Sequence, residues 1–317
     1  MRNNFLIIGV GGIGFRHFQS LNKLKNINLH LVDPKIKFIK RHKIENEINQ
    51  KNSYYYYKSI QSILKRKFDL VIISTNSNIR FNIFKFIVIN KITKNIILEK
   101  IVFSKLSEYK KYKNILDKYK FNSWVNCLNR VFSISGQIKK NHKKTQPKKI
   151  SVSGNNWGLG CNFIHFLDLA SYLSGNSKIK YAKTKIDKII NSKRRGFQEF
   201  HGKINIILNN LTKVSMQSKS GDIKYKLKIE YPGSTYVIDE INSKIYIFKN
   251  RKKIKQKLAT ERVSDLTRVY AGKIIKKRSP GLVTLKKSLD LHYPIIKAIC
   301  NELSLKSRKQ ILDCRIT

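Results

Sequence analysis

The chain has 317 residues, enough to bury a sizeable core and to form two domains. Its 66 Lys and Arg against 19 Asp and Glu give a net charge of +47, a balance that first suggests a nucleic-acid partner. The lysines, however, run through almost every segment and accompany heavy use of Ile, Asn, Tyr and Phe. All of these have AT-rich codons, so a base-composition bias accounts for the profile and no specific nucleic-acid binding is expected.

The basic patches Lys139–Lys149 and Lys273–Arg278 read as solvated loops or helix faces. Cys127, Cys161, Cys300 and Cys314 are scattered with no C-x-x-C pair, which argues against a zinc site or disulfide framework and points to a reducing cytoplasm. The most apolar segment, Ile79 to Ile89, is interrupted by Arg80, Asn82 and Lys85 and is too short to span a bilayer, so no membrane partner is expected.

In chain order, Phe5 to Ile8 is a continuous apolar run, the pattern of a strand buried on both faces. Gly9, Gly11 and Gly14 follow at G-x-G-x-x-G spacing, and an apolar-periodic helix continues through Phe18, Leu21 and Leu24. That spacing suits a dinucleotide: the first glycine permits the turn, the second lets backbone approach a pyrophosphate, and the third lets helix pack on strand. Gly9, Gly11, Gly12, Ile13 and Gly14 are therefore candidate cofactor-binding residues, with the helix N-terminus directed at the phosphates. A second strand, Leu29 to Val32, ends in Asp33, about 20 residues on, where an acid binds ribose hydroxyls. Asp33 favours NAD over NADP because a carboxylate repels a 2′-phosphate, although Lys35 and Lys37 moderate that preference.

Tyr54–Tyr57 cannot share one helix face and reads as a short strand leading into a helix near Ile60–Leu64. Asp69 to Thr75 is another buried parallel strand, and its carboxyl end makes Ser74, Thr75 and Asn76 candidate dinucleotide contacts. A helix from Ile79 to Asn90, a strand from Asn95 to Leu98 ending in Glu99-Lys100, a helix over Tyr109 to Tyr119 and a strand from Trp124 to Leu128 complete the alternation of a doubly wound parallel sheet.

Near residue 130 the pattern changes. Ile150–Ser153, Lys203–Leu208, Lys213–Gln217, Tyr225–Tyr231, Thr235–Ile238 and Lys244–Phe248 read as short, mainly antiparallel strands, with a turn at Pro232-Gly233-Ser234. Cys161 to Leu173 and Val283 to Leu303 read as helices, the latter with Leu285, Leu289, His292, Ile296 and Ile299 on one side. The expected class is α/β: a dinucleotide-binding domain over 1–122, then an α+β domain over 123–317.

GVGGIGFRH at the start, ILEK at Ile97–Lys100, VNCLNRVF at Val125–Phe132, WGLGCNFIHFLDL at Trp157–Leu169, SLDLHYPIIKAICNEL and the final LDCRIT carry a resemblance over most of the chain. The sequence resembles the glucose–fructose oxidoreductase / inositol dehydrogenase (Gfo/Idh/MocA) family of NAD(P)-dependent sugar oxidoreductases. The resemblance implies a Rossmann domain followed by a domain with an open, mostly antiparallel sheet on the substrate side. It also implies a sugar-type substrate, and pairing of chains through that sheet's exposed face. In the family's Glu-Lys-Pro motif the lysine reaches substrate and nicotinamide; Glu99 and Lys100 are kept, and Ile101 replaces Pro. The family's second motif places an Asp four residues before a His. Here His165 is kept and Cys161 stands at the Asp position, with Asn162 beside it. The Pro and His that often follow the third strand are replaced by Ser77 and Arg80.

Cys161 and His165 lie one helical turn apart on one face. The reading assigns catalysis to Lys100, which stabilises the substrate oxygen, and His165, which moves the hydroxyl proton. Asp168 is placed either to orient the imidazole or on the helix surface, and Cys161 reads as a small buried side chain. Glu99 joins Lys100 among the cofactor-side residues. Two rival readings stay open: a non-catalytic dinucleotide-binding or regulatory protein, from the missing Asp, and a nucleic-acid binder, from the charge. Retention of Glu99-Lys100 and His165 argues against the first, and diffuse lysines against the second.

Overall fold

The computed structural model describes residues 2–192, 194–259 and 261–316. Met1 and Thr317, the outer bounds of the two expected domains, lie outside them. In chain order the elements are β1 (Asn3–Ile8), α1 (Gly12–Asn22), β2 (Ile27–Val32), α2 (Ile36–Ile39), β3 (Ser53–Tyr57), β4 (Leu70–Ile73), α3 (Ser77–Ile89), β5 (Asn95–Leu98), α4 (Leu106–Lys118), β6 (Asn122–Val125), α5 (Ser133–Asn141), β7 (Lys149–Asn155) and α6 (Leu159–Ser174). There follow β8 (Ile179–Asn191), β9 (Gln198–Leu208), β10 (Lys213–Lys219), β11 (Lys224–Tyr231), β12 (Ser234–Asp239), β13 (Lys244–Lys249), β14 (Lys252–Lys257), α7 (Val263–Ile275), β15 (Val283–Thr284) and α8 (Leu285–Ser307).

The chain forms two compact units, and no single cut separates them. The first takes residues up to Phe103, Lys110–Asn126 and Glu261–Leu285; the second takes Ser104–Tyr109, Cys127 to residue 259 and the chain from Lys286.

The first unit is built on a seven-stranded sheet of order β15-β6-β5-β4-β1-β2-β3. β1 pairs in parallel with both β2 and β4, which puts the topological switch point at its carboxyl end. Phe5, Leu6, Ile7, Leu29, Leu31 and Leu70 to Ile73 are fully buried, as strands covered on both faces require. The four tyrosines form β3, parallel to β2, as their pattern indicates. Two expectations at the far edge change. The strand expected over Trp124 to Leu128 ends at Val125, and Leu128 to Arg130 form a 3₁₀ turn. Val283 and Thr284, expected to open the last helix, instead pair antiparallel with Val125 and Trp124; ladder hydrogen bonds at the bare edge of β6 win over helix propagation. α7, which the sequence reading missed, lies against α1, with Ser20 Oγ accepting the N–H of Arg268 at 3.0 Å.

The second unit holds an eight-stranded sheet of order β14-β13-β12-β11-β7-β10-β9-β8. Every pairing is antiparallel except β7 with β10. Val214 and Met216 of β10 alternate with more exposed residues, the mark of a sheet with one covered face. Pro232-Gly233 forms the expected hairpin turn between β11 and β12, with Gly233 at φ 76°. β8 and β14 were not anticipated. β14, KKIKQK, is exposed along its length and edges the sheet with lysines, which discourages pairing with another chain. Among the described residues no helix is long and apolar enough to cross a membrane.

Candidate cofactor and catalytic residues

β1 delivers the chain into the glycine turn with Gly9 at φ 87°, where a Cβ would stand 2.8 Å from the Thr75 backbone N. At Gly14 an added Cβ would lie 1.9 Å from the carbonyl oxygen of Gly9, so only glycine allows α1 to approach the turn this closely. Gly11 and Gly12 face open space: a Cβ on either would meet nothing within 4 Å. Gly11 is the N-cap of α1 and offers no side-chain acceptor, and the first intrahelical bond runs from the Phe15 N–H to the Gly11 oxygen. The N–H groups of Gly12, Ile13 and Gly14 thus precede the helical ladder at the positive end of α1, beside room for an anion.

At the end of β2, Asp33 is held against this turn. Its Oδ2 accepts the Val10 N–H at 2.9 Å and its Oδ1 accepts the Lys35 N–H at 2.8 Å. The carboxylate is half-buried and keeps further acceptor capacity for hydroxyl groups. The donor set, the open glycines and this carboxylate fit a dinucleotide.

The three residues after β4 take different parts. The Ser74 hydroxyl donates to the Gly9 oxygen at 2.7 Å and is buried, so it braces the glycine turn. Thr75 Oγ1 is buried without a hydrogen-bond partner among the described residues, an orphan that a bound ligand would satisfy. Asn76 is the half-buried N-cap of α3 and makes no side-chain cap.

Glu99 is turned inward. His17 Nε2 lies 2.9 Å from its Oε1 and Asn126 Nδ2 donates to the same oxygen at 2.5 Å. Burial alone would raise this carboxyl, but the bonds and charge of His17, the Asn126 amide and neighbouring Lys100 hold it down to about 2. On its other side His17 Nδ1 meets Thr267 Oγ1 of α7 at 2.8 Å. Glu99 therefore ties α1, β5, β6 and α7 together beneath Lys100. The segment carrying Lys100 is fixed again by Arg80 of α3, whose buried guanidinium donates to the carbonyls of Thr75, Glu99, Ile101 and Val102. The Lys100–Ile101 peptide bond is cis. Sequence reasoning named no role for His17, Arg80, Asn126 or Thr267. The signal for His17 was its place just past the glycines, on the inward face of α1.

In the second unit α6 opens at Gly158, whose φ is 72°. No acid stands in its first turn; Glu199 of β9 supplies one across space. Its carboxylate accepts the N–H of Gly160 at 2.5 Å and of Cys161 at 2.8 Å, opposite in sign to the helix end. Cys161, at the position where the family has Asp, is half-buried, and its Sγ lies 3.5 Å from the Gly158 oxygen. Glu199 was not foreseen, because nothing local links β9 to that helix.

One turn further, His165 Nδ1 accepts the N–H of Leu128 at 3.3 Å. Asp168 takes neither expected part. It is wholly buried, and its Oδ2 accepts from Arg130 Nε at 2.7 Å, so it braces the 3₁₀ turn and not the imidazole. Burial pushes its carboxyl up to about 7 despite the Arg130 guanidinium.

Residues 3–127 match the family profile described as oxidoreductase family, NAD-binding Rossmann fold (GFO_IDH_MocA). No curated protein sequence matches the chain. Among solved structures, UDP-N-acetylglucosamine 3-dehydrogenase GnnA from Acidithiobacillus ferrooxidans superposes with a TM-score of 0.74 at 14% identity, over 94% of this chain and 97% of that one. An oxidoreductase from Agrobacterium radiobacter, in complex with NAD+, L-tartaric acid and magnesium, gives 0.75 at 13% identity over 96% and 97%. The super-repressor mutant of Gal80p from Saccharomyces cerevisiae gives 0.73 at 14% identity over 96% of each. Residues 3–127 therefore match the NAD-binding Rossmann domain of the Gfo/Idh/MocA oxidoreductase family, and the chain as a whole shares the fold of these structures.

Proposed function

We propose that this protein is an NAD-dependent oxidoreductase that transfers hydride to or from a sugar, sugar-derived or nucleotide-sugar alcohol or ketone, with Lys100 and His165 at the reacting centre. The observation that carries the reading is the cradle at β1–α1: open glycines, helix N–H groups ahead of the ladder, and Asp33 hydrogen-bonded to the Val10 N–H. In it, the N–H groups of Gly12, Ile13 and Gly14 hold the pyrophosphate and Asp33 the adenosine ribose, which selects against a 2′-phosphate. When bound, the nicotinamide supplies the hydride chemistry. Lys100, on a segment fixed by Arg80, stabilises charge at the substrate oxygen. His165 removes or returns the hydroxyl proton.

The sugar class rests on the family and on the nucleotide-sugar dehydrogenase among the structural relatives. Pairing of chains through the second unit's sheet and a cytoplasmic setting belong to the same proposal. A second reading, a regulatory dinucleotide-binding protein, draws on Cys161 at the Asp position and on the repressor among the structural relatives.

Calorimetry with NAD and NADP, followed by mass spectrometry of small molecules retained on native purification, tests the proposal. Tighter binding of NAD and a retained sugar or nucleotide-sugar are expected. Failure to bind either dinucleotide overturns it, and firm NAD binding without turnover of any alcohol or ketone favours the regulatory reading.

A further inference from the structure

We infer that Cys300 of α8 and Cys314 of the segment after it are a redox-modification site. On reaction with a low-molecular-weight disulfide they close a reversible cross-link that locks this segment across the second unit. The sequence shows four scattered cysteines; the fold brings these two together.

Beyond Ser307 the chain crosses the second unit as a strap. The Ser304 hydroxyl donates to the Cys300 oxygen and accepts the Ile311 N–H, each at 2.8 Å. The strap therefore turns back over the part of α8 that carries Cys300. The Leu312 oxygen accepts the Leu106 N–H at 3.0 Å, and the Cys314 N–H donates to the Ser104 oxygen at 2.8 Å. The Arg315 oxygen accepts the Gln198 N–H of β9 at 2.8 Å. Cys314 is thus pinned from both sides, and its thiol hydrogen-bonds that of Cys300. Neither residue is more than 1% exposed. Two side chains held in contact meet the first condition for a cross-link, which fails where the Cβ atoms point apart.

The two thiols are not equivalent. Their hydrogen bond holds Cys300 below the usual thiol range, and the same bond with burial pushes Cys314 well above it. The charged groups that bear on the pair, Asp313 on both thiols and Glu199 on Cys314, are acids and oppose ionisation. Cys300 is therefore the attacking thiolate and Cys314 the resolving thiol. Cys300 attacks one sulfur of the small disulfide, whose S–S bond breaks and releases a thiolate with the electron pair. Cys314 then loses its proton and attacks the Cys300 sulfur of the mixed disulfide, releasing the second thiolate. Two protein thiols are oxidised, one small disulfide is reduced, and the two protons given up serve the two thiols released.

The reagent reaches the pair when the strap lifts. Asp313 and Ile316 pair with Lys105 and Gln198 only as isolated bridges, so the strap opens locally while the eight-stranded sheet stays formed. Once closed, the bond ties α8 to the strap beside Gln198. The next residue, Glu199, accepts the N–H groups of Gly160 and Cys161 at the start of α6, so oxidation stiffens the strand that caps that helix.

The test uses the reduced 317-residue protein with oxidised glutathione and no dinucleotide, so its outcome is independent of the cofactor reading. Intact mass and peptide mapping after alkylation should show loss of two hydrogen atoms and one link, Cys300 to Cys314, reversed by dithiothreitol. Hydrogen exchange at the Ile311 and Cys314 amides, followed in parallel, reports when the strap has opened. Free thiols after both amides have exchanged overturn the inference. So does glutathione left on either cysteine, or a link through Cys127 or Cys161. Closing so short a loop should raise the melting temperature by ~5 °C, and Cys314→Ser should not respond to the oxidant. An equal rise in that variant overturns the inference, and if the variant does not fold the peptide map of the parent still decides.

Discussion

Arg130 Nε lies 2.7 Å from Asp168 Oδ2, while Asp168 Oδ1 is buried with no hydrogen-bond partner among the described residues. The carboxyl therefore keeps only part of the hydrogen bonding it had in water, and burial raises it to about 7. A carboxyl raised on folding is protonated more readily in the native state than in the unfolded one. Its contribution to stability is present below about pH 4, its ordinary range, and is lost as pH rises toward 7. Thermal unfolding followed from pH 4.5 to 8 should show the parent losing more stability than Asp168→Asn over that window. Parallel curves would remove Asp168 as the titrating group.

Asp33→Ala should weaken NAD more than NADP, because the lost carboxylate binds ribose hydroxyls and repels a 2′-phosphate. Calorimetry of both cofactors decides it. Equal weakening would take Asp33 off the ribose.

The two kinds of glycine separate folding from binding. Gly14→Ala places a methyl group 1.9 Å from the Gly9 oxygen and should cost ~1–3 kcal/mol or more in stability. Gly11→Ala meets nothing within 4 Å and should melt like the parent while binding NAD more weakly. Melting curves and calorimetry on both variants check the pair. If Gly11→Ala binds NAD at parental affinity, the pyrophosphate does not approach Gly11.

Lys100→Ala should lower turnover while leaving NAD affinity nearly intact, and Cys161→Ala should cost little if that thiol only packs. Cys161→Asp is the more informative change. It restores the carboxylate of the family motif, yet the Cys161 N–H already donates to Glu199, so a second acid arrives beside the first. Loss of stability without gain of turnover is expected. A rise in turnover on a simple polyol would show that the site still accommodates the family's acid. Single-turnover NADH absorbance and a melting curve read both effects.

DNA binding should be weak, indifferent to sequence, and lost between low and ~0.15 M salt, as for contact through charge alone. Filter binding against several sequences tests it. A tight complex with one sequence at ~0.15 M salt would contradict the compositional account of the lysines.

The sequence was most legible where one local pattern dictates one local structure. Phe5 to Gly14 is such a stretch, and so is the hairpin at Pro232-Gly233. It was least legible where a residue's part depends on a partner far along the chain. Glu99 looks like a cofactor-side acid until His17 and Asn126 are seen around it. Asp168 looks like a helper of His165 until Arg130 takes it. Glu199 is invisible as a cap for α6 because it lies on another strand. The lysine bias hid further elements: β8 and β14 carry so many charged residues that their alternation does not stand out.

The return of Glu261–Leu285 to the first unit has a consequence for how the protein is made. The Thr267 hydroxyl that meets His17 and the strand that covers the edge of β6 are synthesised long after the sheet they complete. At roughly 5–20 residues per second, the dinucleotide-binding unit waits on the order of ten seconds at the ribosome with that edge bare. During that interval the buried His17–Glu99 pair lacks its outer hydroxyl. The intervening sheet domain therefore emerges before its predecessor is finished, and a chain cut after β6 would hold a half-made fold indefinitely.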